Sequence, residues 1–237
     1  MKRLNSFGVF IFLLMSVQFV KAQTMDEIIN KHIAAMGGRE KIMNLSSVLM
    51  TGTFKATGDT QNIPMITTKK HMIGSRIDIE ANKTSNYQII TPEYGWIYTP
   101  VQGDKQPRPL MEGQFKSGQV QLDLHGPFIN TDQKGYTIEM DGKEMVEGSM
   151  CNKLKVAAPN KNVTVYYIDS KSNFIVMSST KMFQFGALED IITTYGDYKQ
   201  NADGYWFAYS NAGPRGATHY DKIITNVPVD EKIFKIN

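Results

Sequence analysis

Four histidines, His32, His71, His125 and His219, are the side chains of this sequence best suited to acid–base work or metal ligation near neutral pH. They are isolated in sequence, and no HExxH, GxSxG, CxxC or phosphate-cradling glycine loop surrounds them. His32 falls on an apolar helical stripe without a second ligand at metal spacing, so it is expected to pack at the edge of a core. Paired carboxylates occur at Asp26-Glu27, which opens a helix, and at Glu189-Asp190, which enters a strand where neighbouring side chains face opposite ways. Cys151 is the only cysteine, which excludes an intramolecular disulfide. On a strand, opposite the face of Leu154 and Val156, it reads as a small structural residue and not as a reactive thiol. These residues point to no catalytic group, no metal and no cofactor, and a binding protein is expected in place of an enzyme.

The N-terminus fixes the expected compartment. Lys2 and Arg3 precede an apolar run from Phe7 to Val20, and Val20-Lys21-Ala22 is a small-residue cleavage site before Gln23. That pattern is a secretory signal, residues 1–22, and the run is shorter than the ~20 residues that span a bilayer. Cleavage after Ala22 leaves a secreted chain from 23 to 237. Three of the 26 basic residues, Lys2, Arg3 and Lys21, leave with the signal, so the remainder balances the 23 acidic ones. A neutral chain has no net basic field for nucleic acid or anionic lipid. No Pro/Gly/Ser-rich linker divides residues 23–237, so one domain is expected.

The elements follow from hydrophobic period. Thr24-Met25-Asp26-Glu27 has the capping-box pattern, and Met25, Ile28, Ile29, His32, Ile33 and Met36 recur at helical spacing before Gly37-Gly38. A short helical turn runs from Arg39 to Leu45. From Ser46 the period becomes two, with strands at Ile63 to Met72, Arg76 to Ala81, Asn86 to Thr91 and Gly95 to Thr99. Pro100 to Pro109 reads as a loop, and Leu110 to Leu124 shows helical spacing through Met111, Phe115 and Leu122. Gly113 and Gly118 each weaken that helix by about 1 kcal/mol relative to Ala, so packing must hold it, as in a movable lid. Strands follow at Tyr136 to Lys143, Met150 to Ala157, four within Asn162 to Asn211, and Thr218 to Val227. About eleven antiparallel strands in a meander curl when left open. The expected fold is α+β, mainly antiparallel β: a curved half-barrel with helices covering its concave face.

Of the 14 methionines, twelve lie beyond residue 22, scattered through the chain; flexible and polarizable, they suit an irregular apolar cavity. Tyr166, Tyr167 and Ile175 place apolar groups on both faces of their strands, which is consistent with a local cover or with a partner surface.

Several segments resemble one family. The helix ending DEIINKHIAAMGG, the strand GTF, the segment QLDLHGPF, and the run YYIDSKSNFIVM with YGDYKQNADGYWFAYS and ITNVPVDEKIF look like the LolA-like outer-membrane lipoprotein-sorting family of Gram-negative bacteria. The resemblance extends over nearly the whole of residues 23–237. It implies a monomeric periplasmic carrier that shields the acyl chains of lipoproteins or lipids between an inner-membrane transporter and an outer-membrane receptor. A non-transporting envelope sensor or protein-interaction module on the same fold is the alternative. The implied cavity lining is Ile28, Ile33, Met36, Phe54, Ile77, Ile79, Tyr87, Ile89, Trp96, Tyr98, Met111, Phe115 and Leu122. Arg76 and Arg108 are the candidates for the basic lid residue of such carriers.

Overall fold

The computed structural model describes residues 23–184 and 187–236. The expected signal, residues 1–22, lies outside them. Thirteen antiparallel strands form one open sheet: β1 (Ser47–Ala56), β2 (Ile63–Lys70), β3 (Gly74–Ala81), β4 (Thr84–Ile90), β5 (Gly95–Tyr98), β6 (Arg108–Pro109), β7 (Thr137–Val146), β8 (Ser149–Ala157), β9 (Val163–Asp169), β10 (Ile175–Gln184), β11 (Ala187–Gln200), β12 (Trp206–Gly213) and β13 (Gly216–Thr225). Their order is β6-β5-β4-β3-β2-β1-β13-β12-β11-β10-β9-β8-β7. Two meanders therefore run outward from the centre, where the first and last strands pair from Val48↔Thr225 to Ala56↔Gly216. Neighbouring strands need only tight turns, so sequence patterning identifies them readily. The β1–β13 pair joins the two ends of the chain and has no local signature. β6 is a two-residue addition that pairs Trp96 with Pro109 and Ile97 with Arg108, inside the stretch expected to be a loop.

Helix α1 (Met25–Ala35) opens with the full capping box: Glu27 N–H donates to Thr24 Oγ1 at 3.2 Å, and Thr24 N–H donates to the Glu27 carboxylate at 3.1 Å. Its stripe lies on β8 and β9. Ile28, Ile129, Leu154 and Ile168 are each at most 1% exposed and form one core with Ile33, Phe128, Tyr136 and Val156. Each such side chain contributes about 1.5–3 kcal/mol by leaving water. His32 is buried on this stripe, with Nδ1 2.8 Å from the Asn173 carbonyl and its ring edge-on to Phe128. After the single turn of α2 (Arg39–Met43), the chain enters β1.

Helix α3 (Glu112–Val120) is shorter than the stretch expected from spacing, and it lies between β4 and β10, with Ile97 of β5 at the edge of its cluster. Leu110, Phe115 and Leu122 pack there against Ile90 and Ile97. Gly118 has a different role from the one its helix propensity suggests. It is buried, and a Cβ at this position would stand 2.2 Å from Ile90 Cδ1, so glycine permits α3 to approach the sheet. Polar ties fix the helix ends. Gln119 donates to the Pro92 carbonyl at 2.8 Å, and Asn160 Nδ2 donates to the Lys116 carbonyl at 2.9 Å.

The other face of β3 is covered by the C-terminal 3₁₀ turn, Glu231–Phe234. Phe234 lies over Gly74, where a Cβ would come within 2.5 Å of its ring. Arg76 donates to the Ile233 carbonyl, and Tyr94 donates to the Phe234 carbonyl.

Candidate functional site

In antiparallel pairs, residues directly opposite share a face, so the registers assign every strand residue to a side. One row runs Thr225, Val48, Lys69, Ser75 and Ile90 across β13, β1, β2, β3 and β4. The next runs Met50, Thr67, Ile77, Gln88 and Ile97 from β1 to β5. Ile90 and Ile97 touch the α3 cluster, so these rows are on the concave, helix-covered side. Leu154, Tyr166 and Ile168 continue the same face beneath α1.

The thirteen candidate lining residues separate on this basis. Ile28 and Ile33 lie in the α1 core, and Phe115 and Leu122 lie in the α3 cluster. Phe54, Ile77 and Ile79 share the concave face, with Phe54 at the far end of β1 beside Gly216. Met36 is half-buried at the end of α1, whereas Met111 is exposed at the N-cap of α3. Tyr87, Ile89, Trp96 and Tyr98 are corrections. Tyr87 opposes Asp78 and Tyr98, and Ile89 opposes Arg76 and Trp96, which places all four on the outer face with Arg76. The C-terminal turn lies on that same side, over Gly74 and Arg76 of β3.

Other expectations are also revised. Arg76 is bound to Asp78 at 2.9 Å and stacks over Tyr87, and Arg108 reaches Asp104 at 3.3 Å. The register thus turns Arg76 outward, and both guanidinium groups already have an acidic partner. Tyr166 and Ile175 pack against the α1 core, with the Tyr166 ring 5.6 Å from that of Phe128, so they present no outer surface to a partner. The methionines do not gather in a cavity either: Met43, Met72, Met140, Met145 and Met150 are exposed.

Between the two helix-covered clusters the concave face mixes apolar residues, Met50, Met65, Ile77 and Ile223 among them, with hydroxyl pairs. Ser178 and Tyr195 join hydroxyls at 3.0 Å, Thr164 and Thr180 at 2.9 Å, and Tyr220 lies beside Thr67 and Asn211. Tyr166, Tyr195 and Tyr220 remain half-exposed, yet desolvation raises their pKa values. They mark the part of the concave face that water reaches. An open pocket of about 630 Å³ also runs between α1 and residues 128–138, with Met25, Ile29 and Phe128 among its apolar lining and Arg39 at hand. That volume falls in the range of small-molecule sites.

Two of the isolated histidines meet. His71, in the turn after β2, and His125, in the loop after α3, stack with ring centroids 3.8 Å apart. Asp123 completes a group whose ligand atoms lie within 4.8 Å of one another. Most of its polar atoms are already engaged. Lys134 Nζ sits 2.6 Å from one Asp123 oxygen, the backbone N–H of His125 donates to the other, Leu124 N–H donates to His71 Nδ1, and His125 Nε2–H donates to the Leu45 carbonyl. A lysine occupies the place of a cation, so the group works as a latch between sheet and covering loop. Spacing gave no sign of it, since the partners come together only through the fold. Cys151 is fully buried, and burial pushes its thiol pKa up, which leaves it inert as expected from its strand position.

No family model matches this sequence, and no curated protein does. Similarity appears among solved structures. A LolA superfamily protein from Nitrosomonas europaea superposes with a TM-score of 0.55 at 14% identity, over 90% of this chain and 98% of that one. A domain described as an outer membrane lipoprotein-sorting protein, from Vibrio parahaemolyticus, gives 0.53 at 16% identity, over 88% and 94%. A DUF1329 family protein from Desulfovibrio piger gives 0.57 at 13% identity, over 90% and 98%. The open antiparallel sheet with helices laid on one face is a LolA-like fold.

Proposed function

We propose that this protein is a periplasmic carrier that shelters acyl chains of lipoproteins or lipids against the concave face of its sheet. The observation that carries the reading is the placement of α1 and α3 on the same face of an open sheet of thirteen strands. The end-to-end likeness to LolA superfamily and lipoprotein-sorting structures supports it. α1 is set into a filled core, whereas α3 is held by a smaller cluster and a few polar ties, so α3 is the element that gives way to cargo. Each methylene sheltered from water adds about 0.8 kcal/mol, so one acyl chain supplies ample affinity and release is the step that needs a movable cover. The chain binds and hands on its cargo without chemical conversion, receiving it at the inner membrane and releasing it toward the outer one.

Native mass spectrometry of protein purified from the cell envelope, followed by lipid extraction, tests this reading. A bound species carrying acyl chains is the expected result. Protein that leaves the envelope empty and takes up neither lipid nor acylated peptide when offered them contradicts it.

A further inference from the structure

We propose that Lys69 is the anion-binding point of the hollow, taking the charged head group of an anionic lipid whose acyl chain lies along the sheet beneath α3. The inference rests on the carrier reading and specifies the class of cargo. Lys69 stands between Val48 and Ser75 in the concave row, flanked by the apolar cluster of Leu45, Val48 and Tyr205 on one side and that of Ile90, Leu110 and Leu122 on the other. It has neither an ion pair nor a hydrogen bond among the described residues. Other lysines do: Lys70 meets Glu231, Lys134 meets Asp123, Lys153 meets Asp141 and Glu144, and Lys181 meets Asp190. Asp123, the acid on the covering loop, is already taken by Lys134.

A cation withdrawn from water without a counter-ion is costly, and folds keep one where a ligand supplies the missing charge. Lys69 is only partly withdrawn from water by surface exposure, and desolvation by the protein around it lowers its pKa to about 8, with no acid acting to raise it. A second orphan lies two residues away on the same face. Thr67 Oγ1 is buried and without a hydrogen bond, although Tyr220 approaches it from β13. An ammonium and an unpartnered hydroxyl in adjacent rows form the polar end of a site whose apolar end is the Ile90, Ile97 and Phe115 cluster. That division, one charge and then a greasy wall, fits an anionic amphiphile and suits neither a bare hydrocarbon nor a free anion.

The test uses oleate, its uncharged counterpart monoolein, and inorganic phosphate, with binding measured by calorimetry on the purified protein and on Lys69→Met and Lys69→Arg, each checked by thermal melting. Oleate is expected to bind about tenfold or more tighter than monoolein, the gain from one charge-assisted contact. Lys69→Met should abolish that preference and leave monoolein unchanged, while Lys69→Arg keeps it. Equal binding of the two lipids, or a preference that survives Lys69→Met, overturns the role of Lys69 and leaves the carrier reading standing. Lys69-dependent phosphate binding with no uptake of either lipid overturns both the lipid assignment and the carrier reading. Failure of all three probes likewise removes the carrier reading and this proposal with it.

Discussion

His71 and His125 lie 54 positions apart in the chain, and their rings stack at 3.8 Å with planes 21° apart. The stack joins the turn after β2 to the loop that follows α3. A backbone bond beside it, Met72 N–H to the Leu122 carbonyl at 2.9 Å, reinforces the join. The base of the covering segment is therefore fixed to the sheet by one aromatic contact and a small ionic group.

That latch is expected to loosen in acid. Burial lowers the His71 pKa below 6.5, the charges of His125 and Lys134 add to the effect, and Asp123 opposes it. A histidine whose folded pKa is lowered binds its proton more readily when unfolded. Its stability contribution is then complete above 6.5 and is lost as pH falls below that value. His32, whose pKa burial also lowers, acts in the same direction. The melting temperature should fall between pH 7 and pH 5, and His71→Gln should flatten part of that slope while His32 supplies the remainder. Hydrogen exchange at Leu122 to His125 should rise over the same interval. An identical slope in His71→Gln would contradict the latch.

Gly118 offers a test in which propensity and packing give opposite answers. Alanine is the better helix former by about 1 kcal/mol, which would stabilise an exposed helix. Here the added methyl would meet Ile90 Cδ1 at 2.2 Å. Overpacking of this kind costs about 1–3 kcal/mol, so Gly118→Ala should destabilise in denaturant titrations. Ile90→Ala in the same chain should recover part of the loss. A Gly118→Ala protein more stable than the parent would show that α3 does not rest on Ile90.

The sequence patterns revealed the strands, the α1 capping box and the buried His32, because these depend on local spacing. The assignment of faces in β3 to β5 was not legible. Ile89-Ile90 and Trp96-Ile97-Tyr98 are apolar without alternation, and Ile89 and Ile90 are both buried although they face opposite sides of β4. The signal that normally distinguishes inside from outside is absent where both sides are covered. Lys69 was hidden for the same kind of reason. In Thr67-Thr68-Lys69-Lys70 nothing in the sequence separates the lysine that faces the hollow from its neighbour paired with Glu231.

Lys69 also makes binding depend on alkaline pH. Its ammonium titrates at about 8, and an anion beside it raises that value. Binding above pH 8 must then take up a proton, so oleate affinity should be level below 8 and fall by up to about tenfold per unit above it. Desolvation lifts the hydroxyls of Tyr166, Tyr195 and Tyr220, on the same face, above 10, outside that window. Monoolein affinity should stay flat, and titration calorimetry between pH 7 and pH 9.5 reads both. An oleate affinity unchanged across that range would contradict an ammonium at the head-group site.

The most direct measurement maps where an acyl chain lies. A diazirine-bearing fatty acid is photolysed on the intact protein, and the labelled residues are located by peptide mass spectrometry. Ile97 and Trp96 are adjacent in sequence and face opposite sides of β5, which makes them an internal comparison. Label is expected on Ile90, Ile97 and Phe115, with Trp96 and Tyr98 spared. Label on Trp96 and Tyr98 in preference to Ile97, or equal label on both faces, would contradict a carrier that shelters acyl chains beneath α3.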